Sequence, residues 1–446
     1  MLSSCLLLAT SLSLLAAPGI EPGTQLVYRG TMTPVKDDGN PAVKEFELAV
    51  LATEANENAY ALAWTLEETG RGGWTWLDRF DRWKVAADKR GEMPTGPALR
   101  YERAEGKSVV PLPPPVFASS TKIENDAAWT EGRLEYRVTD ESVKADRVCW
   151  EIDVRSAYGH KRTLWIDKEL PLVVAVNETV FIGQGDEHTL VFELTEMKTL
   201  PAEAAARTAA AFDDWLELRG SLAWQPRGLR DELSADQIQT LKTELPKVAQ
   251  SAAIGPLAAI AKAAQQDTTG QKNRAGALAA LRAAIVGRPV GELKLLDLAG
   301  QPLAADALQG KVIVLHFWEY RDTPLEEPYG QVGFLDFLWR QRPEAVVIGV
   351  HVDPRLADAE TRGGAIVAAR KLKAFMNLGY PVTYDDGSLL KRLGDPRIAG
   401  GKLPLFVVVG KDGKVAEYHA GLYDVKAHEG LVELDAVVKR ALGKSE

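Results

Sequence analysis

Cysteine is scarce in this 446-residue chain, and that limits the sulfur chemistry available to it. The two cysteines are Cys5 and Cys149. Cys5 precedes an apolar run, Leu6–Ala17, which has the length of the hydrophobic part of an export signal and is too short to span a bilayer. We expect residues 1–19 to be a signal peptide that is removed on export. The mature chain would then keep one thiol, which excludes an internal disulfide and any dithiol reaction within the chain.

The second cysteine lies in a segment with the alternation of a β-strand, Arg147–Asp153. Alternation places Cys149 on the face opposite to its apolar neighbours Val148 and Trp150, so we predict a partly exposed thiol. Such a thiol could form an intermolecular disulfide. A low thiol pKa requires a helix N-terminus or a cationic neighbour, and the sequence places neither a helix start nor a histidine beside Cys149. We therefore expect it to be inert.

Two histidines lie in consecutive strands that are apolar enough to be buried. His316 lies within the first strand and His351 follows the second, so their imidazoles could approach each other if the strands are neighbours. With Asp322 or Glu319 they would offer metal-type ligands. Their spacing matches no metal motif, so we favour hydrogen-bonded core histidines and expect no metal or other cofactor.

Acidic residues after the first of these strands admit two interpretations. Glu319, Asp322, Glu326 and Glu327 lie near the edge where an α/β sheet places its sites, and they could recognise a basic peptide or a cation. Acidic residues in the first turn of a helix also complement the helix dipole. This second interpretation is the favoured one.

The elements that would position these residues follow from the hydrophobic pattern. Short alternating runs without intervening helices predict an antiparallel sheet or partly open barrel over residues 24–200, interrupted by a proline-rich excursion without regular structure at Gly91–Lys122. Alanine-rich amphipathic stretches predict a helical segment over residues 201–288, and alternating strands and helices predict an α/β domain over residues 289–446. The alternating runs of the first region are Gln25–Thr33, Lys44–Thr53, Ala59–Glu68, Leu134–Thr139, Arg147–Arg155, Lys161–Asp167, Pro171–Phe181 and His188–Met197.

Three local features of the last third of the chain are shared with one family. Gly310-Lys311 precedes a buried strand, Phe317-Trp318 ends that strand, and a Gly-x-Leu-Pro-x-Phe run ends at Phe406. With the order of the predicted elements, they resemble the thioredoxin-like domains of bacterial envelope thiol–disulfide oxidoreductases and of the related redoxin (peroxiredoxin-like) family. The resemblance implies a thioredoxin-like fold, in which Pro404 matches the position of the family's cis-proline beside the active site.

The resemblance also implies where the redox cysteines would lie. The family's motif is F-W-x-x-W-C-x-x-C, and alignment on Phe317-Trp318 puts the nucleophilic cysteine at Asp322 and the resolving cysteine at Leu325. A carboxylate at a helix start can accept the free N–H groups there, as a thiolate does, but it cannot form a mixed disulfide. We therefore expect a domain that keeps the architecture, has no catalytic residue and offers Trp318, Glu319, Asp322 and Pro404 as a candidate binding surface.

Three functions are compatible with these features. A net charge of -9 argues against nucleic acid as a partner, since phosphate binding needs a basic face. The preferred function is a binding or scaffolding module without dithiol activity for a protein or peptide partner in the bacterial cell envelope, periplasmic or otherwise extracytoplasmic, with no transmembrane span after signal cleavage. One alternative is the thiol–disulfide oxidoreductase or antioxidant activity of the family. The other is carriage of lipid or another hydrophobic ligand by the β domain, because Arg162–Asp167 and Leu170–Val176 resemble the curved half-barrels of periplasmic lipoprotein carriers.

Overall fold

The computed structural model of the chain describes residues 20–36, 43–56, 59–70, 75–86, 96–103, 106–117, 121–183, 185–223, 233–251, 255–304, 308–320, 331–425 and 429–443. The chain divides into two compact units. The first lies within Met1–Gln265 and the second within Gln266–Glu446, except that Ala104–Gly106 and Arg227–Gln239 group with the second. The domain boundaries suggested by the sequence, after residues 200 and 288, stay predictions.

The first unit is built on one antiparallel sheet. Its strands and those of a separate two-stranded hairpin are β1 (Thr24–Pro34), β2 (Lys44–Asn56), β3 (Ala59–Glu68), β4 (Phe80–Ala86), β5 (Ala98–Arg103), β6 (Gly106–Pro111), β7 (Ala128–Glu131), β8 (Leu134–Lys144), β9 (Arg147–Ser156), β10 (Gly159–Asp167), β11 (Val173–Ile182) and β12 (Asp186–Thr199). The ten-stranded sheet has the order β4-β3-β2-β1-β12-β11-β10-β9-β8-β7, and β5 pairs with β6. Every alternating run predicted between residues 25 and 197 forms a strand of this sheet.

The hairpin of β5 and β6 corrects the prediction that Gly91–Lys122 lacks regular structure. Its side chains Leu99, Tyr101 and Val110 are buried in the same apolar cluster as the residues of the large sheet. Burial of this alternating set stabilises two short strands before the proline run interrupts the pattern. The hairpin therefore covers part of the sheet face.

Three helices follow the large sheet, namely α1 (Ala202–Ser221), α2 (Ala235–Ser251) and α3 (Leu257–Ile285). Ser234 caps α2, because its Oγ accepts the Gln237 N–H at 3.2 Å while the Gln237 side chain accepts the Ser234 N–H at 2.8 Å. Pro246 lies inside α2 and does not end it. The last helix, α3, is continuous and ends before Gly287, which has a φ of 85°.

The second unit contains a six-stranded mixed sheet. Its strands are β13 (Leu296–Asp297), β14 (Val312–Trp318), β15 (Ala345–Val352), β16 (Val382–Asp385), β17 (Leu405–Val409) and β18 (Val415–Ala420). The order is β13-β16-β15-β14-β17-β18. The neighbours β14, β15 and β16 are parallel, whereas β13, β17 and β18 run antiparallel to their partners. This is the mixed α/β sheet that the sequence predicts.

Helices cover both faces of this sheet. They are α4 (Val332–Gln341), α5 (Arg362–Phe375), α6 (Ser388–Leu393) and α7 (Val432–Leu442). Buried side chains of α4, α5 and α7 form one core with one face of the sheet, whereas α6 and the end of α3 form a second core with the other face. The buried residues of α4 are Val332, Leu335 and Leu338, and this spacing of three gives the helix one apolar face that packs on the sheet.

The outer edge of β18 is paired with the chain that follows α3. The Gly287 N–H donates to the Val415 carbonyl at 2.8 Å, and the Val415 N–H donates to the Arg288 carbonyl at 2.9 Å. The Val290 N–H donates to the Gly413 carbonyl at 2.9 Å. Within the part of the chain that the structure describes, no helix combines the length and the apolar character needed to cross a membrane.

Candidate functional site

The described residues that the sequence singled out lie at or near the carboxyl ends of β14 and β15, the edge at which parallel strands commonly present their sites. Asp322 and Leu325, which stand at the family's cysteine positions, lie outside the described residues, as do Glu326 and Glu327. The described members of the set are Trp318, Glu319, Pro404, His316 and His351.

Trp318, the last residue of β14, is buried with 1% of its surface exposed. Its ring lies 4.9 Å from that of His351, and its indole passes over Gly349 of β15. A Cβ at position 349 would lie 3.2 Å from the Trp318 Nε1 and 3.0 Å from the Tyr380 ring, so a larger residue here would crowd both rings. Trp318 is therefore a core residue at the base of the edge rather than a contact surface.

The two histidines are both fully buried, as the favoured interpretation requires. His316 stacks on Phe406 with ring centroids 4.6 Å apart. In the pairing of β14 with β15, His316 lies opposite Gly349 and His351 lies opposite Trp318, so the two histidines are diagonal neighbours on adjacent strands. Among the described residues, no group of three or more His, Cys, Asp or Glu side chains is placed to hold a metal ion.

Asp353 lies just beyond β15 and organises the turn after it. Its carboxylate accepts the Arg355 backbone N–H at 2.8 Å and the Arg355 guanidinium at 2.7 Å, which caps a short 3-10 helix, Pro354–Ala357. Burial alone would raise the pKa of Asp353, but the hydrogen bonds from Arg355 outweigh it and hold the pKa below its ordinary value. The His351 ring lies 3.8 Å from this carboxylate. The negative charge of Asp353 is therefore paired with Arg355 within the turn.

Glu319, directly after β14, lies at the surface beside a second acid–arginine pair. The Arg397 guanidinium lies 3.7 Å from the Glu319 carboxylate and 2.7 Å from that of Asp395. Burial alone would raise the pKa of Asp395, but hydrogen bonds from Arg397 hold it below its ordinary value. Ile398, next in the chain, is 83% exposed. We call Glu319, Arg397 and Ile398 the rim.

Pro404 occupies the position predicted for it, between the rim and β17. The Leu403–Pro404 peptide bond is cis, as the family resemblance implies. Pro404 is buried, and its carbonyl accepts the Gly421 N–H at 2.8 Å. Of the four residues proposed as a binding surface, the structure therefore buries Trp318 and Pro404, exposes part of Glu319 and leaves Asp322 outside the described residues.

A buried glutamine that the sequence gave no reason to select ties α4 to this edge. Gln331 precedes α4 at a φ of 67° and has no exposed surface. Its amide donates to the Tyr423 carbonyl at 2.7 Å and accepts the Tyr423 N–H at 3.1 Å. This pair of bonds joins positions 92 residues apart, so neither spacing nor periodicity could reveal it. The Tyr423 ring also stacks on His419 at 3.8 Å.

Cys149 lies in β9 of the first unit, and its predicted exposure is wrong because the thiol is fully buried. The buried positions of β9 are Cys149, Ile152 and Val154, so the alternation changes between Cys149 and Ile152, where the facing strand β8 has a bulge between Val138 and Asp140. Both Cys149 and Ile152 consequently face the core. Burial raises the pKa of the Cys149 thiol to about 11. The thiol is therefore neutral near pH 7 and is not placed for disulfide formation.

No nucleophile or surface acid–base pair is found among the described side chains of this edge. Glu319 is held by Arg397, Asp353 is held by Arg355, His316 and His351 are buried, and the half-buried His419 stacks on Tyr423. Such a constellation can position a bound group but offers no described atom for covalent chemistry.

No protein-family model matches the sequence, and a search of curated proteins finds no match. Solved structures that are similar to part of the chain are thioredoxin-like thiol–disulfide oxidoreductases. A secreted Mycobacterium tuberculosis disulfide oxidoreductase homologous to E. coli DsbE is 20% identical, with a TM-score of 0.24, over 33% of this chain and 95% of that one. A thioredoxin-family thiol:disulfide interchange protein from Chlorobium tepidum is 20% identical, with a TM-score of 0.26, over 35% of this chain and 99% of that one. An exposed lipoprotein thioredoxin from Streptococcus pneumoniae is 18% identical, with a TM-score of 0.24, over 32% and 96%.

Proposed function

We propose that this chain is an exported thioredoxin-fold protein without dithiol activity, and that its second unit binds a protein or peptide partner in the cell envelope. The observation that carries the proposal is the placement of sulfur. The sequence has Cys5 and Cys149 alone, and Cys149 is buried in the first unit with a thiol pKa of about 11. Thiol–disulfide exchange requires an accessible thiolate, and the second unit contains no cysteine at all.

The rim supports a binding role for the same edge. Ile398 is, after Tyr158, the most exposed large apolar side chain of the described residues. Ile398 follows Arg397, whose guanidinium is paired with the Glu319 carboxylate. The exposed apolar side chain therefore lies beside charged groups that are already fixed by their ion pair. Interfaces commonly combine a preorganised arginine with an apolar anchor of this kind.

Catalysis is tested by reduction of insulin with the purified mature chain and dithiothreitol. We expect the rate of the buffer control, and the same for Cys149→Ser. Activity above the control that Cys149→Ser abolishes would establish the family's oxidoreductase activity and overturn the proposal.

Restoring sulfur tests the alignment on which the loss of activity depends. We expect the double variant Asp322→Cys with Leu325→Cys to gain insulin reductase activity, because it recreates the Cys-x-x-Cys spacing at the positions that align with the family's redox cysteines. The matched control places the same two cysteines at Ser234 and Gln237, which cap α2 in the described structure. Equal activity of both double variants would show that the spacing alone, and not the position beside Trp318, is responsible.

Binding is tested by a photoreactive amino acid placed at Ile398 in cells that carry the full chain. We expect crosslinks to a defined envelope protein, and no such product from the control position Tyr158, which is equally accessible but lies in the first unit. Identical crosslinks from both positions, or crosslinks from neither, would refute binding at the rim. The intact mass of the exported chain tests removal of residues 1–19.

The β-domain alternative, carriage of a hydrophobic ligand, stays a prediction. The hairpin of β5 and β6 occupies part of the sheet face on which such a ligand would lie.

A further inference from the structure

A cavity lies at the end of the six-stranded sheet opposite to the rim. It has a volume of about 760 Å³ and lies against the start of β14 and the end of β17, whereas the rim adjoins the other ends of these two strands. Four segments of the second unit line this open cavity: Val290–Leu296, Pro302-Leu303, the residues leading into β14, and the turn between β17 and β18. Its size is within the range of small-molecule pockets.

The inner wall of the cavity is apolar and belongs to a core. Its residues come from three of the four segments and are each less than one tenth exposed. They are Val290, Leu295, Leu308, Ile313 and Val409. A ligand that enters must therefore bring an aliphatic or aromatic body, because a polar one would lose hydrogen bonds to water without replacement.

The mouth of the cavity is cationic, although the whole chain carries a net charge of -9. The lining contains Lys294, Lys311 and Lys411 against the two acids Glu292 and Asp412. Lys294 pairs with Glu292 at 3.3 Å. Lys411 donates to the Leu442 carbonyl at 3.1 Å, at the end of α7. One positive charge therefore remains in excess.

Lys311 supplies that excess charge. It is exposed at the mouth and makes no ion pair with any described residue. Its position is fixed by the backbone, because the Lys311 N–H donates to the Leu308 carbonyl at 3.3 Å and the next residue begins β14. The ammonium group of a lysine is a compact charge that does not need the planar, bidentate geometry of an arginine guanidinium, so it can pair with a single carboxylate.

We propose that this cavity binds a free monocarboxylate with an aliphatic chain, with the chain among the buried leucines and the carboxylate at Lys311. One excess cation matches one anionic head group, and none of the described lining residues offers a buried polar side chain to satisfy a second. This site is independent of the rim and of its partner, so the two proposals can fail separately.

The probe is decanoate, titrated into the full mature chain by calorimetry below the concentration at which it forms micelles. Decyltrimethylammonium and decanol are the matched probes with the opposite charge and with none. We expect decanoate to bind with a Kd of about 100 µM or tighter, and the ammonium probe at least about tenfold more weakly. Absence of decanoate binding, or equal binding of the cationic probe, would overturn the proposal.

Two variants locate the site. Leu308→Trp fills the cavity and should abolish binding, while Lys311→Glu, an exposed change that the fold tolerates, should weaken decanoate about tenfold. The control Lys402→Glu makes the same charge change at the far end of β17 and should change the Kd by less than about twofold. If Lys402→Glu weakens binding as much as Lys311→Glu does, binding follows net charge and the proposed site is wrong. Circular dichroism of each variant verifies folding. If Leu308→Trp is unfolded, its loss of decanoate binding does not count, and Lys311→Glu alone decides the test.

Discussion

Gln331→Ala should destabilise the second unit substantially, although it removes no apolar contact from the core. The Gln331 amide bonds both the N–H and the carbonyl of Tyr423, and Tyr423 is 3% exposed. Truncation leaves both backbone groups buried without that partner. Each such group costs about 1–3 kcal/mol, so the free energy of unfolding should fall by about 3 kcal/mol.

The left-handed backbone at Gln331 separates the amide's contribution from strain. A non-glycine residue at a φ of 67° costs about 1 kcal/mol, which Gln331→Gly relieves and Gln331→Ala does not. Gln331→Gly should therefore be less damaging than Gln331→Ala by about 1 kcal/mol. Gln331→Asn keeps the amide but shortens its reach, so it should lie between wild type and Gln331→Ala.

Calorimetry of the full chain measures these differences in the unfolding transition of the second unit. For domains of this size about 1 kcal/mol shifts Tm by roughly 2–4 °C, so Gln331→Ala should lower Tm by roughly 6–12 °C. Gln341→Ala, at the exposed end of α4, is the matched control and should change Tm by less than about 2 °C. Hydrogen exchange should rise at the Tyr423 amide in Gln331→Ala. If Gln331→Ala behaves like Gln341→Ala, the amide does not anchor α4 and the reasoning is refuted.

Three further outcomes follow from the same structure. Cys149 should react with a maleimide only when the protein unfolds. The thiol is buried, and its pKa of about 11 leaves a thiolate fraction of about 10⁻⁴ at pH 7. Rapid labelling of the folded chain would contradict this. Gly349→Ala should lower the free energy of unfolding by about 1–3 kcal/mol, as measured in urea. Gly363→Ala is the control, and it should be neutral or stabilising because its added Cβ meets open space. A larger loss of stability in Gly363→Ala than in Gly349→Ala would be inconsistent with the packing. Arg355→Met should lower the free energy of unfolding at pH 7, and by less as the pH falls. The lowered pKa of Asp353 contributes stability above the unfolded pKa of about 4, and this contribution disappears as the pH falls through the lower, folded pKa. An equal loss of stability at pH 7 and at pH 2 would be incompatible with this reasoning.

Much of the architecture could be predicted because it depends on local pattern. Strands with one buried face show an alternating pattern, and the buried strands β14 and β17 are apolar runs, interrupted in β14 by His316 alone, so both kinds of strand can be recognised in the sequence. The cis peptide at Pro404 was predicted from a motif rather than from physics. Prediction failed where the alternation is irregular, as in β9, in which Cys149 and Ile152 are both buried.

The candidate site was harder to predict from the sequence than the fold. His316 and His351 carry the residue types of a site, yet the sheet buries both of them. The contacts that define the rim join Glu319 to Arg397, which lie far apart in sequence on segments that no periodicity connects. Charge and spacing select candidates, but accessibility depends on packing from several elements, and sequence pattern carries little of that information.

The segment after α3 that pairs with β18 has a consequence for assembly. An uncovered outer strand offers a row of backbone donors and acceptors on which another chain can continue the sheet. Here Gly287, Arg288 and Val290 already take those positions beside Gly413–Val415, and Pro289 within the segment has no N–H to pass the pattern outward. Templated growth from this side is therefore blocked where the segment lies, which disfavours runaway self-association there. A partner that approaches Gly413–Val415 must therefore be recognised by side chains rather than by backbone continuation.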